Sequence, residues 1–206
     1  MKTIEQFRTL RLMALLFMGI AVISCSDDDD TPEEENEVEV ITDVTLVFTN
    51  TADASDVVRA SAQDPDGAGI QELVVDPAGI TLSTDATYTL TFEIFNNLET
   101  PGEDIGEEVA EEDDEHQIFF SFTDGAFANP TGNGNVDNAG DAVNYNDQDG
   151  NGNPLGLSTT WTTGANPVAG GNFTARLQHQ PDIKSATTGA ADGDTDFNLS
   201  FVLNIQ

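Results

Sequence analysis

Residues 196–205, DFNLSFVLNI, place an apolar side chain at every second position: Phe197, Leu199, Phe201, Leu203 and Ile205. A β-strand points successive side chains to opposite faces, so this run has one apolar face and one polar face. A helix would scatter the same residues around its circumference. The alternation recurs in VTLVFT (44–49), YTLTFEIF (88–95), HQIFFSF (116–122) and NFTARLQH (172–179), with shorter candidates at 56–62, 71–75, 80–83, 141–146 and 157–163. Strands that are apolar on one side and Thr-, Asn- or Glu-bearing on the other suit antiparallel sheets wetted on a single face. The expectation is an all-β fold over residues 40–206: an antiparallel β-sandwich of immunoglobulin-like, Greek-key type with about eight strands. A small closed barrel is the alternative.

One stretch breaks the period. PGEDIGEEVAEEDDE (101–115) sets Ile105 and Val109 four apart among acids. Pro101 suits a helix start, and Glu103 and Asp104 suit its positive dipole end, which predicts one short acidic helix. A solvated acidic loop is the alternative. ANPTGNGNVDNAGD (128–141) reads as a polar, mobile loop.

The chain of 206 residues has 38 acidic side chains against 6 basic ones, a formal net charge of -32. Lys2, Arg8 and Arg11 precede residue 12, which leaves Arg59, Arg176 and Lys184 for the rest. Phosphate binding needs clustered Lys and Arg, so no nucleic-acid partner is expected. Divalent cations are the natural counter-charges. Met1–Arg11 is a basic n-region, and LMALLFMGIAVI (12–23) is a short apolar run. As a helix it reaches about 18 Å, too little for a hydrocarbon core of about 30 Å. Residues 1–24 therefore read as a signal peptide.

The four residues Val22-Ile23-Ser24-Cys25 resemble the lipobox of bacterial lipoproteins. That resemblance implies cleavage before Cys25, the only cysteine, and a lipid anchor on it that makes a membrane the first partner. Ser26-Asp27-Asp28-Asp29-Asp30 is similar to the acidic tag that certain Gram-negative bacteria place after the lipidated cysteine to export lipoproteins to the cell surface. A plain solvated spacer, with the domain facing the periplasm, is the alternative. Either way residues 25–39 carry too much charge and too little apolar surface to fold, and form a tether. The phrases LETPGEDIGEEVAEEDDEHQIFF, YNDQDGNGNPLGLSTTWTTG and ARLQHQPDIK, with the closing strand, resemble a family of small acidic outer-membrane lipoproteins. Some members are described as "type 1 periplasmic binding fold" proteins, a two-lobed α/β architecture, whereas the strand pattern here is all-β. The resemblance implies compartment and architecture, not an activity.

Among chemical motifs, DQDGNGNP places Asp147, Asp149 and Asn151 at alternate positions before Gly152. Alternate oxygen side chains in a tight loop can converge on one Ca²⁺, as in the first half of an EF-hand loop. The twelfth position is Ser158, not a bidentate Glu, so a calcium-braced β-hairpin loop is the expectation and a plain turn the alternative. DPDGAG (64–69) and DGDTD (192–196) are lesser oxygen clusters. His116 and His179 are far apart in sequence, lack zinc-ligand spacing, and read as continuations of strands. Trp161 is a candidate sugar-stacking platform for a glycan ligand, with a core position as the stronger alternative. No GxSxG, P-loop, GxGxxG or HExxH motif occurs, so the expected function is a non-enzymatic binding or structural module whose protein or glycan partner is unspecified.

Overall fold

The computed structural model describes residues 39–206 apart from 65, 67–71 and 99. The leader, Cys25 and the acidic run Ser26–Asp30 lie outside the described residues.

Among the described residues, eleven strands and one helix follow one another as β1 (Asp43–Asn50), β2 (Val57–Gln63), β3 (Val74–Val75), β4 (Ile80–Leu82), β5 (Thr87–Asn96), β6 (Glu103–Asp104), α1 (Ile105–Glu111), β7 (His116–Phe122), β8 (Phe127–Asn129), β9 (Ser158–Thr163), β10 (Val168–His179) and β11 (Asp194–Ile205). They form two sheets. One runs β3-β2-β1-β5-β9-β8, with β6 added to β5, and the other runs β4-β11-β10-β7. Every pairing is antiparallel except β4 on β11. Neither sheet closes on itself, so the predicted all-β sandwich forms and a barrel does not.

The alternation explains the layers. β1 buries Val44, Leu46 and Phe48, β10 buries Phe173, Ala175 and Leu177, and β11 buries all five of its alternating residues. Both sheets contribute to one apolar core. Phe48 of the first sheet meets Phe173 of the second edge-on, ring centroids 5.5 Å apart. Trp161, on β9, is fully buried and packs at 4.9–5.4 Å against Phe127, Phe173, Phe120 and Phe122. Its indole N–H donates to Thr159 Oγ1 at 2.7 Å, so its polar atom is satisfied inside the core. Trp161 presents no face to a sugar, which corrects the stacking-platform expectation.

Helix α1 forms where the acids suggested. Asp104 caps it by accepting from the Glu107 amide, Glu107 and Glu108 occupy the first turn, and Ile105 and Val109 are its buried stripe. Segment 141–146 is not a strand. It meets β9 at the single bridge Tyr145–Thr159, flanked by the backbone bonds Asn146 N–H to the Ser158 carbonyl and Thr160 N–H to the Asn144 carbonyl, and the Asn144 and Asn146 side chains add bonds to Thr160 and Ser158.

The polar loop 128–141 was expected to be mobile, but part of it seals the outer edge of β7. Ile118 N–H donates to the Leu155 carbonyl, Phe120 N–H to Asn135 Oδ1 and Phe122 N–H to the Asn133 carbonyl. The Asn135 amide and the Tyr145 hydroxyl return donors to the Phe120 and Ile118 carbonyls. Gly134, at φ +94°, permits the approach, since a Cβ there would sit 2.1 Å from the Phe120 carbonyl oxygen.

Candidate functional site

At one end of the β7–β10 ladder, the register sets His116 directly opposite His179. Each histidine continues the inward face of its strand, beyond Ile118 on β7 and beyond Leu177 on β10. The two imidazoles stack with centroids 4.4 Å apart and planes 2° apart, and both are buried.

Carboxylates surround the pair. Glu112, one turn before His116, places Oε2 3.8 Å from His116 Nδ1 and its carbonyl oxygen 3.3 Å from the same nitrogen. On the other side of that ring, Nε2 faces Asp196 Oδ2 at 3.9 Å. His179 Nε2 lies 3.3 Å from Glu115 Oε2. Glu112 and Glu115 sit on the turn between α1 and β7 and are partly exposed, whereas the Asp196 side chain has no exposed surface.

A bulge accounts for the position of Asp196. Leu177 pairs with Phe197 but Gln178 pairs with Thr195, so Asp196 is the extra residue on β11. Strict alternation would turn it outward with Asn198 and Ser200, and the bulge re-aims it inward. Just before it, Gly193 allows the turn to pass close to β10, since a Cβ there would lie 2.1 Å from the His179 carbonyl oxygen.

The electrostatics are those of an unsatisfied site. Among the described residues, neither carboxylate oxygen of Asp196 nor Nε2 of His116 has a hydrogen-bond partner. Burial pushes the Asp196 carboxyl up to about 7, helped by Glu39, Asp194 and Glu112 and opposed by His179. Burial also drives the His116 imidazole down to about 4, aided by His179 and Lys184 and opposed by the Glu112 carbonyl. On α1, burial and the neighbouring Glu39 and Glu103 raise the Glu108 carboxyl to about 7. This end of the sandwich therefore gathers several carboxylates around two buried imidazoles. One ligand atom each from Glu112, His116 and His179 lies within 4.8 Å of the others, the spacing of groups that can hold a metal ion.

The sequence-predicted loop looks different. Asp147 accepts from the Gly156 and Ser158 amides at 2.8 Å each. Asp149 accepts from the Asn151 and Asn153 amides and the Asn153 side chain. Lys184 Nζ stands 3.5 Å from Asp149 Oδ2, with both side chains wholly buried, and also donates to the Asp113 carbonyl. Burial alone would raise Asp149, but these hydrogen bonds and the Lys184 charge hold it below its ordinary value. Burial lowers Lys184, against the pull of Asp149, Asp113 and Asp114. Asp147 and Asp149 are thus engaged by amides, and the Lys184 ammonium stands beside Asp149. Of the other two clusters, Asp64 accepts from the Asp66 amide, with 65 and 67–69 outside the described residues, while Asp192 accepts from the Gly189 amide just before β11, which begins at Asp194 and carries Asp196 into the site.

The sequence pattern read the histidines only as strand continuations and Asp196 only as the first residue of a strand and a member of a lesser oxygen cluster. The available signal was parity: His116 and His179 each extend the apolar face of a strand. No protein-family model, curated protein or solved structure matches this chain.

Proposed function

We propose that the chain is a non-enzymatic, lipid-anchored β-sandwich of the bacterial cell envelope, tethered through Cys25 to the outer membrane and facing the cell surface. The observation that carries this reading is the placement of the sole cysteine, between the apolar run ending in Val22-Ile23-Ser24 and the acidic run Ser26–Asp30. Two or three acyl chains, at about 0.8 kcal/mol per buried CH₂, hold a protein on a membrane permanently. The acidic run spaces the domain from the lipid by self-repulsion. A domain with its own core from Ile41 onward suits such a tether. Trp161 is buried and the carboxylates of Asp147 and Asp149 accept from amides, so the glycan-binding and calcium-braced readings draw no support from these side chains.

Metabolic labelling with an alkyne fatty acid tests the anchor. The wild type incorporates label and fractionates with membranes, while Cys25→Ala loses both; labelling that survives Cys25→Ala refutes the anchor. Protease treatment of intact cells tests the orientation. Degradation places the domain on the surface, and protection places it on the periplasmic face.

A further inference from the structure

We propose that His116, His179 and Glu112 form a binding site for a zinc-class divalent metal ion, with Asp196 and Glu115 orienting the two imidazoles. The ligand chemistry points to that class, because imidazole nitrogen with carboxylate oxygen suits Zn²⁺ and its neighbours, whereas Ca²⁺ and Mg²⁺ take oxygen donors almost alone.

Each histidine turns Nε2 toward a carboxylate: His116 to Asp196 at 3.9 Å, His179 to Glu115 at 3.3 Å. The nitrogen left on each ring is Nδ1; at His116 the Glu112 carboxylate approaches it to 3.8 Å and the Glu112 carbonyl to 3.3 Å, a contact that a metal on Nδ1 displaces. Metal-binding histidines commonly donate their second ring N–H to a carboxylate, which sets the tautomer and orients the ring. A metal on Nδ1 places the proton on Nε2. At His116 that turns two buried, partnerless groups, Nε2 and the Asp196 carboxylate, into a donor and an acceptor aimed at each other. The ion thereby accounts for a carboxylate that a bulge buries with nothing to bind.

The geometry requires the parallel stack to open. Zinc bonds of about 2.0–2.1 Å set tetrahedral ligands roughly 3.4 Å apart, so the three atoms draw in by about 1 Å. The two ring planes, now 2° apart, rotate so that their nitrogens converge on the ion, and the half-exposed Glu112 follows. Glu112 leaves one side open to solvent for entry and for a water ligand. The acids of α1 and the following turn concentrate cations there.

The test uses the full chain in detergent, stripped with a chelator and held in excess Mg²⁺ to mask loose binding by surface acids. Calorimetric titration with Zn²⁺ is expected to show a single saturable site. Co²⁺ should give the intense visible bands of a tetrahedral nitrogen–oxygen site, a reading that needs no variant. His179→Gln should abolish the site, and Asp196→Asn should weaken it by about 10–100-fold. The partly exposed Glu112→Gln, which leaves the buried packing intact, should cost at least tenfold. Asp147→Asn should change nothing. Weak multi-site binding, an octahedral Co²⁺ spectrum, or affinity unmoved by Glu112→Gln overturns the proposal.

Discussion

The two ends of the β7–β10 ladder are built to one plan and filled with opposite chemistry. At one end Phe122 pairs with Phe173, and both rings pack on Trp161, whose indole N–H is satisfied. At the other end His116 pairs with His179 at the same inward parity, with Asp196 and His116 Nε2 unsatisfied beside them. The difference teaches that alternation decides only where a side chain points. Whether that position becomes core or site depends on whether its polar atoms find partners, because burial without partners costs free energy that apolar packing does not.

Substitutions can break this contrast. The largest effect is expected at the apolar end, where Trp161→Ala should cost about 3–5 kcal/mol of unfolding free energy in urea titration, the usual range for deleting a buried aromatic. Wild-type tryptophan emission should correspondingly be blue-shifted and resist acrylamide. At the polar end, cutting a satisfied group should hurt nearly as much. Lys184→Met leaves the buried Asp149 carboxylate unpaired, at a cost of about 3–5 kcal/mol by the same measurement.

Removing an unsatisfied group should do the reverse. In chelator at alkaline pH, Asp196→Asn should stabilise the fold by about 1–3 kcal/mol, since it deletes a buried charge that has no partner. Loss of stability in that variant would show that Asp196 has a partner in solution, and the contrast between the two ends would fail.

The smallest effect sharpens the contrast by pH. Asp196 and Glu108 hold their protons up to about 7 when folded, against ordinary values of 3.8 and 4.5. Their stabilising contribution is therefore complete in acid and is lost as pH rises through about 7. His116, at about 4 instead of 6.5, works in the opposite direction, losing stability as pH falls between those values. Two raised carboxyls outweigh one depressed imidazole, so in chelator the melting temperature should rise as pH is lowered from about 8 to about 5. The rise should shrink in Asp196→Asn. A flat profile would contradict the buried-carboxylate account.

Much of the architecture was legible because it rests on local pattern. The period of two located β1, β5, β7, β10 and β11, and the Ile105–Val109 spacing located α1. Pattern failed at 141–146, where the ladder with β9 shortens to one bridge, and at 128–141, part of which is held by contacts with β7. The site was hidden for a similar reason. His116 and His179 are 63 residues apart and become neighbours only through the β7–β10 register, while Asp196 faces inward only because of a bulge. Asp147 and Asp149 were conspicuous as a motif, but nothing in their spacing could show that Lys184, distant in sequence, would stand beside Asp149.

The order of strands in the second sheet also sets a clock. β4 and β7 are made early but do not touch; they lie on either side of the β10–β11 pair. Until residues 168–205 have emerged, that sheet has no ladder, and the apolar faces of β1 and β5 have little to close against. Folding thus waits for its last strands and then depends on pairings distant in sequence, the slow class of topology. The same dependence means that a nascent chain cut before β10 leaves an open-faced, aggregation-prone sheet and not a smaller domain.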